Sequence, residues 1–190
     1  MSEADQTIPP APGKIVTIFG SSKPVGGSPE YEDAVLIGRL LAKKGLSVCT
    51  GGYRGTMEAI SRGAAECDVK IIGVTSAVFS PSPNQYVNVQ VHTRTIFERL
   101  QKLIELGDGY VVLKGGTGTM VELSMVWELM NKEMITKKPI IVVSDFWKPV
   151  VDLLGNELVS EGMKSTASYV KIAKDAADAA AMMIKSLNGA

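Results

Sequence analysis

The feature of this sequence that most constrains its fold is an alternation, from Lys14 onward, of short apolar runs with longer segments of helical periodicity. Six of the runs are predicted to be strands, and most are apolar throughout instead of alternating with polar residues. Continuous apolar strands are typical of a parallel sheet that helices cover on both faces. The predicted strands are residues 15–19, 46–49, 69–74, 109–113, 139–143 and a weaker 168–172.

The intervening segments carry helix signals as well as periodicity. Ser28 is placed to cap the first helix, Pro29 suits its first position, and Gly45 can close its end. The predicted helices are residues 29–44, 55–66, 93–106, 118–132, 146–160 and 173–187. This alternation predicts an α/β fold with one doubly wound, Rossmann-like parallel sheet. The first helix is expected to bury Tyr31, Ala34, Val35, Gly38 and Leu41. The last helix is expected to bury Ala176, Ala179, Ala180, Met183 and Leu187.

Length and composition exclude several classes of protein. The chain has 190 residues, 45% of them hydrophobic, so we expect one domain over residues 14–190 after a loose, proline-rich leader at 1–13. Twenty basic and twenty acidic residues balance, which argues against nucleic acid or a membrane surface as a partner. No segment suits a membrane span or a secretory signal, so we expect a cytoplasmic protein. Cys49 and Cys67 are too few for a disulfide framework or a zinc site, and we expect both to be buried and no metal to be bound.

Ligands of open α/β sheets bind beyond the carboxyl ends of the strands, and three of the turns expected there are unusual. Gly20-Ser21-Ser22 follows the first strand, and residues 50–55 (Thr-Gly-Gly-Tyr-Arg-Gly) follow the second. The third turn, residues 114–119 (Lys-Gly-Gly-Thr-Gly-Thr), is the most informative. Its glycines let the backbone approach a ligand, and the free N–H groups of the following helix suit phosphate. A turn that serves only a tight passage from strand to helix is the alternative.

The third turn matches neither standard nucleotide signature. A P-loop needs Lys followed by Ser or Thr after its last glycine, and a Rossmann fingerprint needs a third glycine where Val121 stands. A dinucleotide or a triphosphate is therefore disfavoured. The hydroxyls of Thr117 and Thr119 and the ammonium of Lys114 can add donors to a phosphate site in this turn.

Several residues near these turns have two interpretations. Glu122 lies one helical turn beyond Thr119. Its carboxylate therefore either reaches the turn at residues 114–119, called the phosphate loop below, or closes a capping box with Thr119. Arg99, in the third predicted helix, is either a ligand clamp or a solvated side chain. His92, the only histidine, is expected in a loop or at the cap of that helix. The pair Tyr53-Arg54 either covers a planar base or anion, or lies in a solvated loop.

Together the three turns resemble the Lonely Guy (LOG) family, long named "possible lysine decarboxylase", over roughly residues 14–154. The family's main motif, PGGxGTxxE, is matched at 114–122 except that Lys114 replaces the leading proline. Its second motif, GGGxxGLMG, is matched at 50–58, where Thr50 and Glu58 replace glycines. The resemblance places the following residues at the substrate or its phosphate: Gly20, Ser21, Gly51, Gly52, Gly55, Met57, Lys114, Gly115, Gly116, Thr117, Gly118 and Thr119.

The family includes cytokinin riboside 5′-monophosphate phosphoribohydrolases. The resemblance therefore implies hydrolysis of the N-glycosidic bond of a nucleoside 5′-monophosphate, giving free base and ribose 5-phosphate. It assigns catalysis to Glu122 and to Arg99, in preference to Arg94, and Leu100 stands where the family often has lysine. The expected role of Glu122 is to stabilise the cationic sugar or to activate water. Arg99 is expected to hold substrate oxygens and to keep Glu122 ionised.

Two other functions share part of this pattern. Some proteins of this fold look like molybdenum-cofactor carriers, so a non-catalytic carrier of a phosphorylated cofactor is the alternative. A decarboxylase would need pyridoxal phosphate and a Schiff-base lysine, and because only Lys114 lies in the phosphate loop we expect no cofactor.

We also expect at least a homodimer, because one predicted helix, 118–132, is apolar nearly all round. LOG proteins are typically dimers, which agrees with this expectation. One apolar line of this helix is expected to face the core and consists of Met120, Leu123, Trp127 and Met130. The second apolar line points away from the core and consists of Val121, Met125 and Leu129.

Overall fold

A single parallel sheet of seven strands organises the chain in this computed structural model, which describes residues 13–80 and 82–189. The leader predicted at 1–13 lies outside the described residues except for Gly13. The strands are β1 (Ile15–Phe19), β2 (Ser47–Thr50), β3 (Ile71–Ser76), β4 (Val89–Thr93), β5 (Gly109–Val112), β6 (Ile140–Val143) and β7 (Val170–Ala173). The helices are α1 (Pro29–Ala42), α2 (Thr56–Ala64), α3 (Ile96–Leu106), α4 (Thr117–Asn131), α5 (Lys148–Ser160), α6 (Lys164–Ala167) and α7 (Ala176–Asn188).

The order of the strands explains where a ligand can bind. Across the sheet they run β4-β3-β2-β1-β5-β6-β7, and every pair is parallel. The chain therefore moves outward from β1 to the edge strand β4 and then returns to β5, which pairs with β1. The turns after β1 and β5 lead away in opposite directions, and a crevice opens between them. The predicted doubly wound α/β fold is confirmed.

Two apolar cores lie on the two faces of the sheet. One core combines residues of α1, α2 and α7, and the other combines residues of α3, α4 and α5. All ten residues that periodicity predicted to be buried on the first and last helices are buried. Cys49 is fully buried as expected, whereas Cys67 is only partly buried. No described helix has both the length and the apolar character that crossing a membrane requires.

The sequence prediction missed one strand and misplaced the element that follows it. Strand β4 lies at the edge of the sheet, so its side chains alternate between partial burial and exposure and form no apolar run. The helix predicted to begin at residue 93 begins at Ile96, with the Thr95 hydroxyl accepting a hydrogen bond from the Glu98 N–H. His92 therefore lies in a strand, exposed, and not in a loop or a cap.

The start of α1 also differs from its prediction. Ser28 occupies the N-cap position, but its side chain makes no capping hydrogen bond, and its Oγ is buried without a partner among the described residues. The predicted role of Gly45 is confirmed, although the helix ends at Ala42, two residues before the predicted end. Gly45 adopts a positive φ of 73°, and the N–H groups of Gly45 and Leu46 donate to the carbonyls of Ala42 and Leu41, which is the Schellman arrangement.

Candidate functional site

A cleft of about 950 Å³ lies at the carboxyl end of the sheet, where the turns after β1, β2 and β5 converge. All three of the turns that stood out in the sequence contribute to it, and so does the segment after β3. Of the predicted binding residues, the cleft is lined by Gly20, Ser21, Met57, Gly116, Thr117, Gly118 and Thr119. Arg99 and Glu122 line it as well.

The phosphate loop ends in an open helix start. Helix α4 begins at Thr117, and its N-cap residue, Gly116, has no side chain to satisfy the first N–H groups. The first helical hydrogen bond runs from the Met120 N–H to the Gly116 carbonyl at 3.0 Å. The N–H groups of residues 117–119 precede that bond and lie at the positive end of the helix dipole. This end of the cleft is therefore suited to an anion.

Gly115 supports this loop without lining the cleft. A Cβ at position 115 would collide with the hydroxyl of Thr119, whose side chain is buried beneath the loop. At Gly116 and Gly118 an added Cβ would meet nothing. The absence of a side chain at position 115 is thus required by packing, and the other two glycines leave their backbone open to a ligand.

Glu122 belongs to the cleft and not to the helix cap. Because α4 begins at Thr117, the third helical residue is Thr119 and Glu122 is the sixth, so the capping-box interpretation is wrong. Burial raises the pKa of the Glu122 carboxyl to about 7, and the nearby Arg99 guanidinium opposes this rise without cancelling it. The charge of Arg99 thus favours the ionised carboxylate, as expected, but burial has the larger effect on the pKa of Glu122.

Arg99 is held from several sides. It lies in the first turn of α3, and its Nε donates a hydrogen bond to the Val74 carbonyl in β3 at 2.8 Å. Its guanidinium carbon lies 5.5 Å from the ring centre of Tyr53 and 5.8 Å from that of Phe79. A Cβ at Gly51 would overlap its Nη2 atom, so this glycine provides the space that the guanidinium occupies. Burial lowers the pKa of Arg99, while the negative charge of Glu122 opposes that shift.

Arg94, the other candidate in the sequence, is exposed and does not line the cleft. Its Nε lies 3.6 Å from a carboxylate oxygen of Glu98 on the outer surface. The structure thus brings Arg99 and Glu122 into one cleft. Among the described residues, no ion pair within 4.0 Å joins these two side chains, so the guanidinium remains available to a ligand.

The glycines of the second turn shape the loops and do not line the cleft. Gly52 and Gly55 have φ values of 76° and 71°, which favour glycine. A Cβ at Gly55 would collide with the backbone of the first turn, to which the Thr56 N–H donates a hydrogen bond at 2.9 Å. Thr50 replaces a family glycine, and its hydroxyl accepts a hydrogen bond from the Gly52 N–H at 3.1 Å. Another departure, Glu58, lines the cleft.

Lys114 points away from the main cleft. It lines a second cavity of about 490 Å³ on the other side of the phosphate loop, together with Gly115 and Phe146. Its Nζ lies 3.4 Å from a carboxylate oxygen of Glu30 and 5.8 Å from the ring centre of Phe146. Lys23 lines both cavities and has no ion pair among the described residues, so it is better placed than Lys114 to offer a positive charge to the cleft.

Sequence reasoning missed the wall of the cleft that follows β3. Tyr53 anchors this wall, because its hydroxyl accepts from the Ser76 N–H at 2.8 Å and donates to the Ser80 carbonyl at 2.9 Å. The Asn84 amide donates to the Tyr53 and Gly52 carbonyls at 3.0 and 3.2 Å. Apart from the pair Tyr53-Arg54, the signal in the sequence was the long gap between the third and fourth predicted strands.

Comparisons with known proteins agree with this architecture. The family model described as "Possible lysine decarboxylase" matches residues 57–183. A cytokinin riboside 5′-monophosphate phosphoribohydrolase of Rhodococcoides fascians is 28% identical over 172 residues, which cover 85% of each chain. A pyrimidine/purine nucleotide 5′-monophosphate nucleosidase of Escherichia coli K12 is 29% identical over 176 residues. That match covers 83% of this chain and only 38% of the longer nucleosidase.

Among solved structures, the molybdenum cofactor carrier protein of Chlamydomonas reinhardtii superposes with a TM-score of 0.71 at 21% identity. The superposition covers 94% of this chain and 99% of the carrier, and shows a shared fold. The family model spans well over half of the chain. With the glycine turns and the cleft they form, it shows that this chain belongs to the "possible lysine decarboxylase", or LOG, family.

Proposed function

We propose that this protein hydrolyses the N-glycosidic bond of a nucleoside 5′-monophosphate, releasing the base and ribose 5-phosphate. The observation that carries the proposal is the position of Glu122. Its carboxyl group, with a pKa near 7, lies in the same cleft as Arg99 and one and a half helical turns from an open helix start. An anion site, a cation and a carboxyl that can change protonation state are the groups that this reaction needs.

The phosphate would bind at the start of α4. The N–H groups of residues 117–119 offer donors, the hydroxyl of Thr117 adds another, and Lys23, which also lines the cleft, adds a positive charge. A phosphate held there anchors one end of the substrate, so that the ribose extends along the cleft towards Glu122 and Arg99. The resemblance to the nucleotide-cleaving relatives supports a phosphorylated ligand, since both names specify a 5′-monophosphate.

Glu122 can serve both halves of the reaction because both of its protonation states are populated near neutral pH. The protonated carboxyl donates its proton to the leaving base as the bond between C1′ and the base nitrogen breaks, which leaves a cationic sugar. The resulting carboxylate stabilises that cation and then takes a proton from the attacking water. Oxygen from water bonds to C1′, and the carboxyl is restored. Arg99 would hold ribose oxygens in place during both steps.

The test is a screen of the purified protein against AMP, CMP, GMP and UMP, with the corresponding nucleosides as matched controls. We expect free base from at least one monophosphate and little from the nucleoside that lacks the phosphate. Equal release of base from a monophosphate and from its nucleoside would show that the phosphate loop does not contribute to substrate binding. Retention of a phosphorylated compound with no release from any nucleotide would favour the alternative, a non-catalytic carrier.

A further inference from the structure

The phosphate loop separates two cavities, and each presents an exposed aromatic ring. Phe79 lines the larger one, the cleft, and is 58% exposed. Phe146 lines the smaller one and is 46% exposed. Exposed aromatic rings in a nucleotide site are surfaces on which a base can stack. The two rings therefore mark two directions in which the base could extend from the phosphate.

The positions of the proposed catalytic residues distinguish between these two directions. Glu122 and Arg99 line the larger cavity and not the smaller one. The guanidinium carbon of Arg99 lies 5.8 Å from the ring centre of Phe79. Since the bond that breaks joins C1′ to the base, the base must lie next to the groups that act on that bond. A base against Phe146 would place C1′ on the wrong side of the loop.

The ring of Phe79 is held in place although much of it is exposed. It forms a T-shaped contact with the ring of Tyr53, at a centroid distance of 6.0 Å and an interplanar angle of 78°. Tyr53 in turn is fixed by the hydrogen bonds of its hydroxyl to the backbone of Ser76 and Ser80. A ring supported in this way loses little conformational freedom when a base binds to it.

Polar side chains near this ring differ in their freedom to contact a base. The amide of Asn84 is occupied, because its nitrogen bonds to two carbonyls and its oxygen accepts from the Tyr86 N–H. Gln85 also lines the cleft and is exposed, and its amide has no hydrogen-bond partner within residues 13–80 and 82–189. An amide offers a donor and an acceptor, which suits the edge of a purine or of a pyrimidine.

From this arrangement we propose that Phe79 is the platform on which the substrate's base stacks, with Gln85 contacting the edge of the base. The inference rests on the proposed function, because it takes the ligand to be a nucleotide with its phosphate at α4. Every base has a π face, so stacking on Phe79 favours binding of purine and pyrimidine nucleotides alike. Selectivity between bases would then come from Gln85.

Binding measurements on Phe79→Ala test the proposal, with Phe146→Ala as the matched control. Titrations of AMP, UMP and ribose 5-phosphate are made in the Glu122→Gln background, so that nothing is consumed. We expect Phe79→Ala to weaken AMP and UMP about 5- to 150-fold, the range typical of one stacked base. Ribose 5-phosphate, which has no base, should bind as before, and Phe79→Trp should restore nucleotide affinity. Phe146→Ala should leave all three affinities within about twofold.

Two results would overturn the proposal. If Phe79→Ala weakened ribose 5-phosphate as much as AMP, Phe79 would only shape the cleft. If Phe146→Ala weakened AMP and Phe79→Ala did not, the base would lie in the smaller cavity. Neither result depends on turnover, so a failure of the proposed reaction and a failure of the base platform are distinguishable.

Discussion

The raised pKa of Glu122 predicts that this residue lowers the stability of the protein at neutral pH and above. Its carboxyl has an ordinary pKa of 4.5 and a folded-state pKa of about 7. Between these values the unfolded chain loses the proton before the folded chain does, so stability falls as the pH rises. At about 1.4 kcal/mol per pKa unit, the loss is about 3 kcal/mol once the pH exceeds 7.

Replacing Glu122 by glutamine removes this titration while keeping the shape of the side chain. We expect Glu122→Gln and the wild type to have nearly equal free energies of unfolding at pH 4.5, and the variant to be more stable by about 3 kcal/mol at pH 8. For a chain of this length that gain corresponds to about 6–12 °C in Tm. Urea and thermal denaturation between pH 4.5 and pH 8 measure it.

Glu128→Gln is the matched control, because Glu128 is an exposed residue of the same helix. Its effect on the free energy of unfolding should stay within about 0.5 kcal/mol at any pH. A Glu122→Gln variant that gained no stability between pH 4.5 and pH 8 would refute the reasoning, since the charge of Glu122 would then be compensated in the folded state.

Further predictions follow from the loops and from α4. Gly51→Ala should lower kcat/KM about 100-fold with the fold intact, because the new Cβ displaces Arg99, and circular dichroism is the check on folding. Gly115→Ala should abolish the stabilisation that phosphate confers on the wild type, because the new Cβ pushes against Thr119. That stabilisation is about 2.7 kcal/mol when the phosphate concentration is 100 times Kd. A variant whose Tm rises with phosphate as much as that of the wild type would contradict this prediction. Light scattering should show at least a dimer at micromolar concentration. Met125→Glu should yield a folded monomer, since Met125 is 39% exposed in the single chain, and an unfolded variant would place it in the core instead.

The sequence was most informative where local pattern and tertiary structure agree. Runs of apolar residues predicted the five inner strands because those strands are covered on both sides, and β7, at the other edge of the sheet, gave the weaker sixth run. The glycine turns identified the edge of the sheet at which the cleft lies. Strand β4, at one edge of the sheet, was not predicted because a strand that is partly covered by solvent has a weaker apolar pattern. Gln90 and His92 interrupt the apolar run of β4.

Other features of the site depend on contacts or boundaries that local pattern does not determine. Whether Glu122 caps the helix or faces the cleft depends on a shift of three residues in where α4 begins, which is within the usual error of a boundary predicted from sequence. The wall formed by Phe79 and Asn84 arises from hydrogen bonds between residues 23 to 32 positions apart. Contacts at that separation leave no periodic signal in the sequence.

The most direct test of the account is the release of base from AMP by the wild type and by Glu122→Gln, measured together with AMP binding by calorimetry. We predict that the wild type releases adenine and ribose 5-phosphate in equal amounts, and that the variant binds AMP with similar affinity but releases no adenine. The amide cannot donate an acidic proton to the base and cannot take one from water. Base release by Glu122→Gln at the wild-type rate would contradict the account.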